Sequence, residues 1–381
     1  MTEVYIVSAV RTPIGKLLGT LSNASAPALG GLVVKEALRR AQVDPGSVDE
    51  VFMGSALQAG LGQNPARQAA LNGGLPPTVG AVTLNMVCGS GLRAILSGIQ
   101  AIKAGDADVV VAGGMESMSN APYLMPEGRR GARLGDVMLV DSLVHDGLWD
   151  AFNDFHMGTA CELVAERFKV TRREMDEFSA GSHQRALAAH HDGKFKTEIL
   201  PVESMTADEG PRGDSTVEKL SKLKPVFKPD GLVTAGNSAQ ISDGAAAVVL
   251  MSDRALKAKP LARITGTATV GVDPKWVLVS TIDAIRKFDT RNPWKASDAD
   301  LVEINEAFAA STIAGIRDLK LDPARVNVHG GALALGHPIG ASGARIVVTL
   351  LHALADRKAR RGVATLCMGG GNGLALGVER P

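Results

Sequence analysis

Short apolar runs alternate with longer amphipathic stretches along this chain, and they do so twice. Residues 4–10, 51–54, 82–87 and 108–112 are apolar runs, with helical periodicity at 29–41 and 92–103 between them. The rhythm returns with runs at 261–270, 301–304, 326–328 and 363–366 and helical patterns at 279–287 and 342–358. Such an order predicts an α/β fold with a mainly parallel sheet covered by helices. The two series share a register. Ser90-Gly91-Leu92-Arg93 opens one helix and Ser342-Gly343-Ala344-Arg345 another, and each helix leads to a buried strand ending in glycines, at Gly113-Gly114 and Gly369. Duplicated halves related by a pseudo-twofold axis would bring both loops to the carboxyl ends of their strands, where open α/β sheets place ligands. One site would then draw on both halves.

Between the halves the composition changes. Pro122, Pro126, Pro201, Pro211, Pro225 and Pro229 fall here with most of the histidines, together with one strong helical pattern at 172–191 that Thr171 and Glu174 open as a capping box. Long irregular segments that interrupt a compact fold usually carry function, and this one reads as an inserted lid or loop domain. The expected division is an N-terminal half of residues 1–117 plus 243–260, a loop domain of 118–242 and a C-terminal half of 261–381.

Composition excludes several classes. With 381 residues, 45% hydrophobic and 21% charged, the chain suits a soluble globular enzyme rather than a disordered or fibrous protein. Lys and Arg (41) nearly cancel Asp and Glu (40), so no global field favours a nucleic-acid partner. Arg129, Arg130 and Arg133 form a candidate local patch for phosphates. Three cysteines make no disulfide framework and suit a reducing compartment, with the cytoplasm as the expected location. The start is acidic, with an apolar stretch too short for a signal peptide, and no run approaches the length needed to span a bilayer, so no membrane partner is expected. The eight His and three Cys lack metal-ligand spacing.

Cys88 stands where a strand feeds a helix through small residues, Cys88-Gly89-Ser90-Gly91, and the unpaired amides of the following helix would favour its thiolate. Flanking glycines make packing the poorer account of this Cys. Cys161, between Ala160 and Glu162 in a helical run, reads as packing instead. Cys367 could be a core residue at a strand end, but Gly369, Gly370 and Gly371 follow it closely, which implies that something approaches the backbone there. His337 sits among five glycines in 330–343, as a base or as a loop cap. Asn305 directly follows the 301–304 run, as a helix cap or as a polar contact in the site.

Together these segments resemble the thiolase family of acetyl-CoA acetyltransferases and 3-ketoacyl-CoA thiolases. The likeness runs from Val7-Ser8-Ala9-Val10-Arg11-Thr12-Pro13 through Asn305-Glu306-Ala307-Phe308-Ala309 and Gly336-His337-Pro338 to the Cys367 loop. The resemblance implies the thiolase fold, duplicated five-layered αβαβα halves with an inserted loop domain. It implies Cys88 as the acyl-accepting nucleophile, His337 as its base, Cys367 as the base acting on the α-carbon of acetyl-CoA, and two oxyanion holes. One hole would be His337 with a water held by Asn305, and the other the amides of Cys88 and Gly369.

Coenzyme A thioesters, acetyl-CoA and acyl-CoA, would be substrates rather than cofactors, and the chain is expected to form a homo-oligomer, a dimer or tetramer. By the same resemblance Leu148, His156 and Met157 would wall a short acyl pocket, as in the biosynthetic branch. Arg212, Phe227, Ala235 and Ser238 would contact CoA. Ala239, Lys219 and Asn372 depart from the family's usual residues. A degradative 3-ketoacyl-CoA thiolase for medium or long chains is the alternative. A ketoacyl synthase would pair its Cys with two His or with His and Asn, and a non-catalytic acyl-CoA-binding protein would not need Cys88, His337, Cys367 and Asn305 together.

Overall fold

The computed structural model describes residues 2–257 and 259–381. Met1 and Ala258, both inside the expected first half, lie outside the described residues. The first half comprises β1 (Val4–Arg11), α1 (Ala26–Ala41), β2 (Glu50–Gly54), α2 (Pro65–Asn72), β3 (Gly80–Leu84), α3 (Ser90–Ala104) and β4 (Val109–Ser117). After an excursion containing α4 (Met157–Arg167) and α5 (Arg172–His191), the chain returns as β5 (Ser242–Ser252). The second half comprises β6 (Ala262–Gly271), α6 (Ser280–Asp289), β7 (Leu301–Ile304), α7 (Ala309–Asp318), α8 (Ile339–Asp356), β8 (Arg361–Met368) and β9 (Asn372–Glu379).

Strand order is β7-β8-β9-β6-β1-β5-β4-β2-β3, and among the described residues only the short pairing of Tyr5 with Arg263 and Ile6 with Ala262 joins the two halves of this sheet. The sheet is mixed, which corrects the expectation of a mainly parallel one. β2 is parallel to β3 and β4, and β7 to β8, but β1/β5, β5/β4, β6/β9 and β9/β8 are antiparallel. The reason lies in the connections. β8 turns directly into β9 through Gly370 and Gly371, both at positive φ, and a hairpin can only be antiparallel.

The two halves repeat one pairing pattern. β1 shifts register against β5 between Ile6 and Ser8 as β6 does against β9 between Ile264 and Gly266, and Met115 pairs with Ala245 as Cys367 pairs with Gly373. Met115 and Cys367 therefore hold equivalent positions. The expected strand at 326–328 is reduced to a single bridge of Val326 to Val302. Asn327 adopts φ 46°, and its side chain takes over the ladder, accepting from Ile304 N and donating to Ile304 O, each at 2.8 Å.

Helices α1 and α2 cover one sheet face, α3 and α8 lie together between the halves, and α6 and α7 cover the far side, giving five αβαβα layers. The largest apolar cluster joins Leu92, Ile95 and Ile99 of α3 to Ile346, Leu350 and Leu354 of α8 and to both sheets. By length and composition α8 could cross a membrane, with a mean hydropathy of 1.2, a match the sequence reading did not anticipate. It is 83% buried inside the protein, which explains an apolar helix without a bilayer.

The first turns of α3 and α8 touch. A Cβ on Gly91 would lie 2.9 Å from Ala344 N, and one on Gly343 2.5 Å from Leu92 N, so only glycine allows the approach. The excursion between β4 and β5 is pinned to the sheet by Arg11, which is wholly buried. Its guanidinium donates to Glu198 at 2.5 Å and to both oxygens of Asp208 at 2.6 and 3.0 Å. The Thr171–Glu174 capping box at the start of α5 is present in full.

Candidate active site

The loop from β3 to α3 carries Cys88. Asn85 Oδ1 accepts from Val87 N at 3.0 Å, while Ser90 Oγ accepts from Met86 N at 2.9 Å and donates to Val87 O at 2.6 Å. These side chains hold Val87 at φ 47°, an outlying conformation for a β-branched residue. The strained residue immediately precedes the thiol. Beyond it, Gly369 of the turn after Cys367 meets this loop, sharing a cavity with Cys88 and lying so close that an added Cβ would stand 3.2 Å from Val87 Cγ2, and the amides of Cys88 and Gly369 favour the Cys88 thiolate.

His337 lies two residues ahead of α8, which starts at Ile339 rather than at the expected Ser342. The extra turn has a chemical consequence. Ser342 Oγ donates to Pro338 O at 2.9 Å and so is left to accept from His337 Nδ1 at 2.5 Å. The imidazole proton therefore resides on Nδ1, and Nε2 carries the free lone pair. Burial, reinforced by the Arg345 charge, pulls His337 down to about 3, so the imidazole is neutral.

Asn305 is not a helix cap, because α7 begins at Ala309 with Phe308 at its N-cap. Its Nδ2 donates to His337 Nε2 at 3.4 Å. Burial pushes the Cys88 and Cys367 thiols up to about 12 each. The expected helix-end preference for thiolate is thus outweighed by desolvation, and Cys88 requires a base to lose its proton.

Cys88, His337, Cys367 and Gly369 line one cavity of about 330 Å³ with Leu148, His156, Met157, Phe227 and Ser238. His156 caps α4 through Nδ1, which accepts from Gly158 N at 3.0 Å, and its ring stacks on Phe227 at 4.7 Å. A second cavity of about 390 Å³ holds Arg212 and Ala235 with His183, Asp214 and Lys219. Residues 235–241 serve both, since Ala235, Gly236 and Gln240 face the second cavity and Ser238, Ala239 and Ile241 the first.

The structure does not bring every expected residue to the site. Arg129, Arg130 and Arg133 are exposed and line neither of these cavities; the cations of the second cavity are Arg212 and Lys219, each paired with Asp214. Asn372 also lines neither cavity and continues the β8/β9 ladder. Cys161 is fully buried in an apolar cluster, as its helical setting indicates. Three residues that the sequence did not single out support the site: Ser342, Arg345 and Glu116. Glu116 accepts from the amides of Ala56 at 2.9 Å, Leu57 at 3.2 Å and Gly340 at 2.8 Å, and clamps the start of α8 to the loop after β2.

The thiolase N-terminal domain family model matches residues 4–254, and the thiolase C-terminal domain family model residues 258–380. This chain belongs to the thiolase family. It is 52% identical to the acetyl-CoA acetyltransferase of Pseudomonas aeruginosa and 51% identical to that of Cupriavidus necator, in each case over 100% of both chains. Among solved structures, the crystal structure of the Bacillus anthracis acetyl-CoA acetyltransferase superposes with a TM-score of 0.97 at 44% identity, covering 100% of this chain and 99% of that one. The fold is the thiolase fold, and the chain is an acyltransferase of this family.

Proposed function

We propose that the chain is an acetyl-CoA C-acetyltransferase, which condenses two acetyl-CoA reversibly to acetoacetyl-CoA and CoA. The observation that carries the reading is the convergence of two thiols, a neutral imidazole and the Gly369 amide on one cavity. Cys88 Sγ attacks the thioester carbonyl while His337 Nε2 takes its proton, and CoA leaves with the proton of the Cys367 thiol, so that Cys367 becomes the thiolate while His337 stays protonated. The Cys367 thiolate then removes a proton from the α-carbon of the second acetyl-CoA, and that carbanion attacks the acyl-Cys88 carbonyl to expel the Cys88 thiolate, which regains its proton from His337. Two thiols are needed because the first is esterified when the second must act. Amides of Cys88 and Gly369 are set to receive the tetrahedral oxyanion, and Asn305 Nδ2 beside His337 Nε2 serves the thioester oxygen of the enolate; such donors are typically worth about 2.7–4 kcal/mol each.

The first cavity takes the acyl and pantetheine end, and the second takes the nucleotide end against Arg212 and Lys219. Leu148, Met157 and the stacked His156–Phe227 pair support a short acyl group. The chain is expected to work in the cytoplasm as a dimer or tetramer. Thiolysis of a 3-ketoacyl-CoA series, with Cys88→Ala as blank, tests the chain length. Activity concentrated on acetoacetyl-CoA is the expected result, and comparable rates on long chains would make this a degradative thiolase. In Cys367→Ala the enzyme should still be acylated by acetyl-CoA while exchange of the α-proton stops; retained exchange would remove Cys367 as the base.

A further inference from the structure

We infer that Arg345 is a positioning residue that holds the Asn305 carboxamide with its N–H groups, rather than its carbonyl oxygen, toward the reacting centre. The inference rests on the functional reading above. A carboxamide presents donors on one side and an acceptor on the other, and a half-turn about its last bond exchanges them at little steric cost. In the resting site the exchange is opposed only weakly from the His337 side. Nε2 is a lone pair there, and the contact from Asn305 Nδ2 is long, at 3.4 Å.

Once His337 has taken the Cys88 proton, Nε2 becomes a donor and would attract Oδ1. The carboxamide would then turn its acceptor inward at the stage when a donor is required. A guanidinium prevents this because it has donors alone and cannot lose its proton. Arg345 Nη2 donates to Asn305 Oδ1 at 3.4 Å, as long as the contact to His337 but made by a buried cation, whose charge strengthens it and engages that oxygen in both protonation states of the imidazole.

Other features of Arg345 do not suit a purely structural role. Its side chain is 2% exposed, yet its nearest carboxylate contact is Glu303 Oε2, 3.6 Å from Nη1. Neither Nε nor Nη1 has a hydrogen-bond partner among the described residues, and the same holds for Glu303 Oε2. A buried ion pair with so few hydrogen bonds contributes little to stability, and apolar replacement of such pairs is often neutral or stabilising. Arg345 also lies on the helix that carries Ser342, so α8 sets the proton on Nδ1 of His337 and the orientation of its neighbour together.

The test is a double variant, Arg345→Met with Glu303→Gln, which removes the guanidinium without leaving its carboxylate unpaired. Melting temperature, and kcat and KM for thiolysis of acetoacetyl-CoA, are compared for the wild type, the double variant, Asn305→Ala and the combination of all three substitutions. The expected result is an unchanged or raised Tm, an unchanged KM, and a kcat lowered by roughly 10- to 100-fold, toward the range of a lost oxyanion donor. Adding Asn305→Ala should then leave the combination no slower than Asn305→Ala alone, because both changes remove one effect.

Wild-type kcat in the double variant, or losses that multiply in the combination, would overturn the inference. Should the double variant fail to fold, Arg345→Lys gives the same reading. Lysine keeps a donor, so its kcat loss should be partial and should vanish in the Asn305→Ala background; a loss that persists there overturns the inference as well. A wild-type enzyme unable to cleave acetoacetyl-CoA would sink the functional reading itself. An active wild type with Arg345 effects independent of Asn305 sinks this inference alone.

Discussion

Cys88, the proposed nucleophile, is held in its neutral form. Burial raises its thiol to about 12, the Gly369 and Cys88 amides only partly offset this, and His337 at about 3 is an unprotonated partner. The resting pair is therefore thiol and imidazole rather than thiolate and imidazolium. Because the shift is upward, the thiolate fraction at neutral pH lies below that of an ordinary cysteine and keeps growing as pH rises. Alkylation of Cys88 by iodoacetamide should accordingly be slower at pH 7 than that of a free thiol, which ordinarily titrates near 8.5, and should still be climbing past pH 9. A plateau below pH 8 would mean that an ion pair exists before substrate arrives. Turnover need not follow the same curve, since the proposed mechanism passes the proton internally from Sγ to Nε2.

At the scale of elements, the sequence displayed whatever depends on near neighbours. The capping box at Thr171, the strand-to-helix turn at Cys88 and the glycine-framed His337 are local patterns, and all three occur as expected. Strand direction was hidden, because the β8/β9 hairpin and the return of β5 beside β1 depend on which distant segments pair. So were Ser342 and Arg345: their roles follow from a helix that starts three residues earlier than its motif implied. Glu116 had no local signal, since its partners come from loops more than fifty residues away in sequence. The arginines at 129–133 show the converse, that charge alone does not locate a phosphate site.

Arg11 of β1 gives a prediction at this scale. Burial alone would raise the Asp208 carboxyl, but the Arg11 charge and the His190 hydrogen bond hold it below the usual carboxylate range. Arg11→Met would strand two buried carboxylates and should destabilise the protein by about 3–5 kcal/mol, a scale typical of a broken buried pair. The sign of the pH dependence follows. A depressed carboxyl adds stability above its unfolded value of about 3.9 and loses it as pH falls, whereas Asp208 without its partner takes up a proton readily. The gap in melting temperature between wild type and variant should be widest near pH 7 and narrow toward pH 4. A gap independent of pH would assign the loss to packing.

The whole molecule works because its halves meet at the two helix starts. Gly343→Ala places a methyl group 2.5 Å from Leu92 N, where something must shift. The expected cost is about 1–3 kcal/mol of stability and a larger loss in kcat, since displacing reacting groups by about 1 Å can cost roughly 100-fold. Assay of the variant below its melting temperature separates the two effects. Full activity in a destabilised variant would show that the junction sets stability without setting the geometry of Cys88 and His337.

The equivalence of Met115 and Cys367 bears on ancestry. If each half descends from one shorter chain that paired with its own copy, both copies had to carry the same residue at this position, either two thioethers or two thiols. Covalent joining of the copies removed that restriction. One position could then become a core contact beneath α1 and α2 while its twin became the proposed proton carrier, and likewise one helix approach came to bear Cys88 and the other His337. The asymmetry on which the proposed chemistry depends is in this sense a product of fusion, open to a duplicated chain and closed to a symmetric pair.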